Sequence, residues 1–337
     1  MFIITGQTAT GKTKLGLDYA SKYNGELINC DSRQIYRHLD IVTGKDLPRN
    51  SKFKIPALSA GRQNLTFNKH TIGYYPLKNL HSRFLIQDSI KIWLYDIVDP
   101  KQFFSSFDYV QCALSVIKDI IKRKKTPIIV GGSGFYLKHL LYGFSYLNIP
   151  PNWKLRKQLE KKSVRTLQNY FNKFVFKLSH QSVAPPTCFK LPQQSKLMIL
   201  NNSDYNNPRR LIRRIEILSF LINNPALPNN HLQPNFHAKF IGLKYKNRQD
   251  LVNAIKTRVE KRLQQGAINE VKKILQQGYT ENDPGLKTIG YQQIIQYLKG
   301  NISLKQAIDQ WINKEVQYAK RQLTYLKKYF SIEWIQL

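Results

Sequence analysis

The sequence predicts an α/β fold: a parallel-sheet core with a helical insertion domain and a helical C-terminal part. Three observations carry this. Phe2-Ile3-Ile4 reads as a buried strand, Gly6-Gln7-Thr8-Ala9-Thr10-Gly11-Lys12-Thr13 follows as a complete G-x-x-x-x-G-K-T loop, and Leu15, Leu17 and Ala20 open an amphipathic helix. Short apolar runs then alternate with helical patterns, the order of a parallel sheet covered on its faces. The last third is helical. Strand, glycine loop and helix in that order make the core P-loop NTPase-like.

The remaining elements follow in chain order. Glu26–Cys30 reads as a second strand ending at Asp31-Ser32, and Ile90–Tyr95 as a third ending at Asp96. Between them, residues 46–89 are polar, with Pro, Gly, Asn and scattered aromatics, and are expected to form an insertion, a small β-rich flap. Ser105-Ser106 caps a helix with Val110, Ala113, Leu114, Ile117 and Ile121 at helical spacing, ending in the cations Lys122–Lys125. Thr126–Val130 is a fourth strand running into Gly131-Gly132-Ser133-Gly134, and Lys239–Leu243 a fifth. Residues 145–205 lack the alternation, begin at Pro150-Pro151 and read as a helical excursion, with the core resuming at Asn207-Pro208. The expected division is therefore 1–144, 145–205 and 206–337. Near the end, Ser303 and Gln306 form a capping box ahead of one stripe: Ala307, Ile308, Trp311, Ile312, Val316, Ala319, Leu323 and Leu326.

Composition narrows the class of function. With 337 residues and 42% hydrophobic content the chain has ample core, and no apolar run approaches the ~20 residues of a membrane span. The first strand starts at residue 2, so no signal or transit peptide is expected. Cys30, Cys112 and Cys188 show neither metal-ligand spacing nor a disulfide framework, which fits a reducing cytoplasm. Lys and Arg number 53 against 21 Asp and Glu, a net charge of +32. The positive charge is denser at Lys154–Arg165, Arg209–Arg214, Lys256–Lys273 and Lys314–Lys328, where Tyr, Phe and Trp interleave. That mixture tracks a nucleic-acid backbone and stacks bases. A cell with a basic proteome would produce the same balance.

In a phosphate loop the backbone N–H groups of Gly6–Thr13 point at phosphate oxygens, Lys12 adds a charge and the Thr13 hydroxyl is a Mg²⁺ ligand. Ligands of open α/β sheets bind at the carboxyl ends of the strands. Three such ends carry polar groups: the phosphate loop, Asp31-Ser32-Arg33-Gln34, and Gly132-Ser133-Gly134. Asp31 is a candidate general base or water-bridged Mg²⁺ ligand, or simply an N-cap. Gln34 offers the donor–acceptor fork that reads adenine edges. Arg209, Arg210, Arg213 and Arg214 form a cationic ridge suited to pyrophosphate or an RNA backbone, with only Glu216 as a nearby acid. On residues alone, a nucleotide- and ATP-binding small-molecule or nucleoside kinase remains open. So does a non-catalytic RNA-binding protein with a relic loop.

The ordered blocks resemble the tRNA dimethylallyltransferase, or tRNA isopentenyltransferase, family. Gly6–Thr13 resembles its phosphate loop, Asp31–Tyr36 its D-S-x-Q-x-Y segment and Asp40–Lys45 its D-I-G-T-A-K segment. Asp96-Ile97-Val98-Asp99-Pro100 and Gly131–Leu137 follow. Asn207–Arg213 resembles N-D-P-x-R-x-x-R, and Ile289-Gly290-Tyr291 with Ala319-Lys320-Arg321-Gln322 closes the set. The resemblance implies transfer of a dimethylallyl group from dimethylallyl diphosphate to N6 of the adenine 3′-adjacent to the anticodon, in the anticodon stem-loop of tRNA. It implies Asp31, Ser133 and Arg210 as catalytic groups. Asp31 takes the N6 proton, Ser133 donates to the pyrophosphate, and Arg210 joins Lys12 and Thr13-bound Mg²⁺ on the leaving group. Asp31, Ser32, Arg33, Gln34, Arg209, Arg210, Leu211, Ile212 and Arg213 are its implied tRNA contacts. Ser133 replaces the family's more usual Thr, Asn207 replaces an Asp, two histidines before Asp96 are absent, and 46–89 has no family counterpart. The chain ends at Leu337 without the zinc finger of eukaryotic relatives, which implies a bacterial-type, cytoplasmic protein; a monomer is the default.

Overall fold

The computed structural model describes residues 1–45, 47, 51–56, 66–67, 70–77, 90–143, 149, 151–180, 199–224 and 236–337. Much of the expected 46–89 flap, part of the 145–205 excursion and Cys188 lie outside the described residues. The chain divides into two compact units, Met1–Tyr142 with Pro234–Leu337, and Gly143–Gln233. No helix among the described residues is long and apolar enough to cross a membrane.

The first unit opens with β1 (Phe2–Gly6), α1 (Lys12–Lys22) and β2 (Gly25–Asn29). In the 46–89 region, β3 (Thr66–Phe67) and β4 (His70–Thr71) make a two-stranded ladder. By contrast, β5 (Tyr74–Leu77) pairs antiparallel with β6 (Ile90–Trp93), so this stretch extends the main sheet rather than standing apart as a flap. Its alternating burial turns Tyr75 and Leu77 inward, and Pro76 is tolerated because the strand lies at an edge. Next come α2 (Ser106–Lys122), β7 (Thr126–Val130) and α3 (Gly134–Tyr142). Ser105 and Asp108 cap α2 reciprocally. The buried face of α2 centres on Tyr109, Cys112, Val116 and Ile120, and the expected stripe member Ile121 is 53% exposed.

In the second unit, α4 (Trp153–Leu159), α5 (Val164–His180), α6 (Asn202–Tyr205) and α7 (Pro208–Asn223) pack around Leu159, Leu167, Phe171, Leu211, Ile215 and Leu218. The core was expected to resume at Asn207-Pro208. Instead α7 stays with the second unit, because its apolar stripe is buried against α5.

The chain returns to the first unit with β8 (Lys239–Lys244), α8 (Arg248–Gln264), α9 (Ala267–Gln276), α10 (Tyr291–Leu298), α11 (Leu304–Tyr329) and β9 (Glu333–Gln336). The sheet order is β5-β6-β2-β7-β1-β8-β9, every neighbouring pair parallel except β5 with β6. Ile3, Ile28 and Ile129 belong to the core on one side; Ile4, Leu27, Ile128 and Val130 belong to the cluster that includes Ala20 of α1. Burial on both faces is why these strands read as unbroken apolar runs. Since β7 lies between β1 and β2 and all three run parallel, their carboxyl ends share one edge.

Candidate active site

The phosphate loop is built where β1 meets β8. Gly6 has φ 131°, and a Cβ there would stand 2.1 Å from Leu243 O, so glycine is required by conformation and by space. Gln7 N donates to Leu243 O at 3.1 Å, and Gln7 Oε1 accepts from Tyr245 N at 2.9 Å. Thr8 N donates to Gln322 Oε1 at 2.9 Å. Two N–H groups of the predicted cradle, at Gln7 and Thr8, therefore serve the protein itself. Ala9, next along the loop, is left-handed with φ 63°. Gly11 then starts α1 without any side-chain cap, unlike the Ser- and Asn-capped helices α2, α4, α7, α8 and α11. Uncapped N–H groups and the helix dipole suit an anion. Lys12 Nζ donates to Gln7 O. Burial first, then repulsion from Arg258, lowers its pKa to about 8, against the pull of Asp31 and Glu315. Thr13 stands half-buried in the first turn of α1, and Thr10 Oγ1 donates to Gln7 O at 2.8 Å.

Asp31 and Ser133 meet beside this loop. Ser32 N donates to Ser133 Oγ at 3.0 Å and Ser133 N to Cys30 O at 3.1 Å, stitching the ends of β2 and β7 together. Accepting from Ser32 leaves Ser133 its hydroxyl proton to donate. Asp31 Oδ1 accepts from Arg33 N at 2.8 Å, an Asx-turn rather than the N-cap that the sequence left open. Tyr318 of α11 shares hydrogen bonds with Ser133 and Gln322, and burial, followed by the charge of Asp31, raises the pKa of its phenol. Gln322 also donates Nε2 to Gly132 O at 3.1 Å, so one amide bridges the phosphate loop and the Gly132–Gly134 loop. A Cβ on Gly132 would strike that amide at 2.1 Å.

Gln34 is held by its nitrogen. Nε2 donates to Thr43 O at 3.2 Å and Gly44 O at 2.7 Å, which commits the donor end of the fork to backbone and leaves Oε1 as its acceptor. The Asp40–Lys45 segment that supplies these carbonyls is itself clamped. Glu270 accepts from Asp40 N, Ile41 N and Val42 N and from the Tyr291 hydroxyl, while Lys45 pairs with Asp40 and Asp96. Arg33 Nη1 donates to Pro284 O at 3.3 Å.

The second unit holds the other residues expected to act. Arg210 pairs with Asp204, a partner the sequence reading overlooked in naming only Glu216. Arg213 donates to Ile149 O at 2.8 Å and pairs with Glu216, so it braces its own unit instead of forming a free ridge. Glu216, buried, also takes a two-pronged bond from Arg156. Leu211 and Ile212, expected among the tRNA contacts, have side chains buried in the helical core of the second unit. Arg209 is exposed, and Asn207 caps α7 through Arg210 N, which an Asn does as well as the family's Asp.

Within the first unit, the arginine at the phosphate loop is Arg258 of α8, whose Nη1 lies 2.5 Å from Thr8 Oγ1. Sequence reasoning missed Arg258, Tyr245, Glu315 and Tyr318 as site residues. A signal existed for α11: Glu315 and Gln322 stand at helical spacing from Trp311, Ala319 and Leu326, where a purely structural helix would be apolar.

The family model described as IPP transferase matches residues 85–329. The tRNA dimethylallyltransferase of Alkaliphilus metalliredigens is 31% identical over 339 residues, covering 100% of this chain and 91% of its own. That of Thermoanaerobacter sp. strain X514 is 30% identical over 336 residues, covering 98% and 90%. Among solved structures, the tRNA delta(2)-isopentenylpyrophosphate transferase of Staphylococcus epidermidis aligns with a TM-score of 0.59 at 27% identity, over 99% of this chain and 92% of that one. The full-length Bacillus halodurans enzyme aligns with a TM-score of 0.60 at 27% identity, over 99% and 89%. Matched from the phosphate loop to the last helix, the chain belongs to the tRNA dimethylallyltransferase family.

Proposed function

We propose that the protein transfers the dimethylallyl group of dimethylallyl diphosphate to N6 of the adenine 3′-adjacent to the anticodon of tRNA. One observation supports this above the others. The carboxylate of Asp31 and the hydroxyl of Ser133 sit on loops joined by the Ser32 N–Ser133 Oγ bond, with Asp31 near enough to Lys12 to act on its charge. A base and a hydroxyl donor thus lie beside a phosphate loop, the set that allylic transfer needs. Breaking the allylic C1–O bond sends its electron pair to the departing pyrophosphate, and the N6 lone pair forms the new C1–N6 bond. Asp31 accepts the N6 proton, Ser133 donates to a pyrophosphate oxygen, and Lys12 stabilises the charge as it develops. Gln34 Oε1, fixed as an acceptor, receives an N6–H and orients the base. The exocyclic amine of a stacked adenine is out of reach, so the nucleotide is flipped inward.

Among the described residues no cluster of three His, Cys, Asp or Glu side chains could cage a metal. The site fits Mg²⁺ of the kind carried mainly by phosphate oxygens, held through Thr13 Oγ1 and, by way of water, Asp31. When bound, it would add positive charge at the leaving group. The exposed Arg209, the Arg210–Asp204 pair and the lysines of α4 and α5 are offered as contacts for the anticodon stem-loop. The protein acts as a monomer on this reading. The kinase alternative has no observation in its favour, and a relic loop would not have kept Lys12, Thr13 and Asp31 together.

The test is mass spectrometry of an adenine-bearing anticodon stem-loop after incubation with protein, Mg²⁺ and dimethylallyl diphosphate. A prenyl mass gain on that adenine, lost with Asp31→Ala, is the expected result. Phosphate transfer from ATP to a hydroxyl acceptor, with no prenyl gain, would overturn it.

A further inference from the structure

Two blocks of the sequence, Asp40–Lys45 and Ile289-Gly290-Tyr291, meet at one carboxylate. Glu270 stands in the first turn of α9, whose Ala267, Val271 and Ile274 are buried. Its Oε2 accepts from Asp40 N at 3.0 Å and Ile41 N at 2.7 Å, while Oε1 accepts from Val42 N at 3.1 Å and from the Tyr291 hydroxyl. A carboxylate has about four lone-pair sites, and these four donors fill them. Tyr291, fully buried, opens α10. Gly290 before it lies at φ 94°, and a Cβ there would stand 2.5 Å from Val42 Cγ1, so the glycine lets the two blocks close on each other.

Three successive backbone N–H groups on one anion fix the start of a tight turn. The turn then closes on itself: Gly44 N donates to Asp40 O at 2.9 Å, and Lys45 N to the same carbonyl at 3.0 Å. The Lys45 ammonium, buried, donates to Tyr36 O at 2.7 Å and Asp40 Oδ1 at 2.6 Å and pairs with Asp96. Held at both ends, the turn presents Thr43 O and Gly44 O to Gln34 Nε2, at 3.2 and 2.7 Å. A flipped Gln34 amide would set its oxygen against two carbonyl oxygens. Burial, and to a lesser degree Asp40, raises the Glu270 pKa against the pull of its donors, so the carboxylate occupies a place unfavourable to its charge. None of its four bonds reaches the phosphate loop, Asp31 or Ser133.

We propose that Glu270 is a positioning residue for the acceptor base: by holding the Asp40–Lys45 turn it keeps Gln34 Oε1 as an acceptor and so makes the site select an amino group over a carbonyl on that base. This rests on the transfer reaction proposed above, in which Gln34 Oε1 receives an N6–H of adenine. Hypoxanthine has the shape of adenine and carries a carbonyl where adenine carries its amine. Against a fixed Oε1 that carbonyl sets acceptor against acceptor, a repulsive element that favours adenine. Glu270 acts through backbone and exchanges no proton with either substrate.

The experiment measures, by fluorescence anisotropy, the affinity for two anticodon stem-loops that carry adenine or hypoxanthine at the target position. Wild type, Glu270→Gln, Tyr291→Phe, Gln34→Ala and the Glu270→Gln, Gln34→Ala double variant are compared, with pyrophosphate calorimetry and thermal melting alongside. Wild type should prefer adenine by ~10-fold, the scale of one hydrogen bond to the base. Glu270→Gln sets an amide nitrogen against backbone N–H donors, and the preference should shrink to about threefold or less while pyrophosphate affinity stays within about twofold. Tyr291→Phe removes one of the four donors and should shift the preference the same way by less; it decides the matter if Glu270→Gln does not fold. With Gln34→Ala already present, Glu270→Gln should reduce the preference no further, because the two act as one unit. A wild-type preference kept in both Glu270→Gln and Tyr291→Phe would overturn the proposal and leave Glu270 as a brace of the fold. So would a full Glu270→Gln effect on top of Gln34→Ala, or a wild type that binds the two stem-loops equally. Since the preference is read without turnover, a wild type that prefers adenine yet fails to prenylate it would sink the transfer reading while still reporting on Glu270.

Discussion

Asp31 and Ser133 reach their positions through backbone. Asp31 Oδ1 accepts from Arg33 N and Ser133 Oγ from Ser32 N, so backbone donors orient both side chains and leave a carboxylate oxygen and a hydroxyl proton for chemistry. Asp31→Ala should therefore abolish transfer while stem-loop affinity, measured by fluorescence anisotropy, stays near wild type. Parallel loss of both would make Asp31 structural. Ser133→Thr keeps the hydroxyl and should be nearly silent in kcat, whereas Ser133→Ala removes one oxyanion donor and should cost ~10²-fold or more. Gln322 makes a different case. Its amide satisfies Thr8 N and Gly132 O in a buried setting, so Gln322→Leu strands both backbone groups. That should cost about 1–3 kcal/mol for each group left unpaired, read from chemical denaturation, and loosen pyrophosphate binding as the two loops part.

At the scale of the element, β2 carries the most consequential buried charge. Glu26 is 1% exposed and accepts a two-pronged bond from Arg123 and another from Trp93 Nε1, with Lys91 and Lys125 nearby. Burial by itself would raise its pKa. The bonds from Arg123 and Trp93, with the neighbouring cations, outweigh it and hold the carboxyl below its ordinary value. A depressed carboxyl contributes stability above its unfolded pKa, and that contribution is lost as pH falls through the folded one. His139 of α3 acts in the same direction. Burial, and then Lys138, lowers its pKa to about 3, so the fold loses stability as pH drops from about 6.5 towards 3. Urea titrations stepped from pH 7 down to about pH 2, through the range below the ordinary carboxyl pKa, should show a marked acid loss in wild type and a shallower one in Glu26→Gln. Equal acid loss in both would rule out Glu26 as a source. Glu26→Ala removes the buried carboxylate from Arg123, which keeps Asp119, and strands the Trp93 Nε1 donor; it should cost about 1–3 kcal/mol at pH 7.

For the whole molecule, +32 is the property that a polyanionic substrate would use. Stem-loop affinity should fall with salt by ~0.7 log unit per log[salt] for each single-strand phosphate contact. A flat response between 50 and 200 mM salt, roughly the range over which counterion release shows, would mean that the basic surface is not the RNA grip. The division into units also bears on how that charge is organised. Arg210 and Arg213 have acid partners inside the second unit, so the exposed Arg209 and the lysines of α4 and α5 are the less committed cations there.

Sequence alone determined the local chemistry. A G-x-x-x-x-G-K-T loop behind a strand, the capping residues Ser105 and Ser303, and apolar runs buried on both faces are written in neighbouring residues, because helix and strand periods and turn geometry are short-range. On the same grounds the strand ends that carry Asp31 and Ser133 were expected to converge, since parallel strands end on one edge, and the Ser32 N–Ser133 Oγ bond joins those two loops. What only the tertiary structure decided lies in contacts between distant segments. Thr8 and Gln322 are 314 residues apart, Thr8 and Arg258 are 250, and no periodicity announces that a late helix will cap an early loop. The tertiary structure also placed the side chains of Leu211 and Ile212 in a core, and moved α7 into the second unit. A helical stripe says that a face will be buried; which partner buries it is settled by packing.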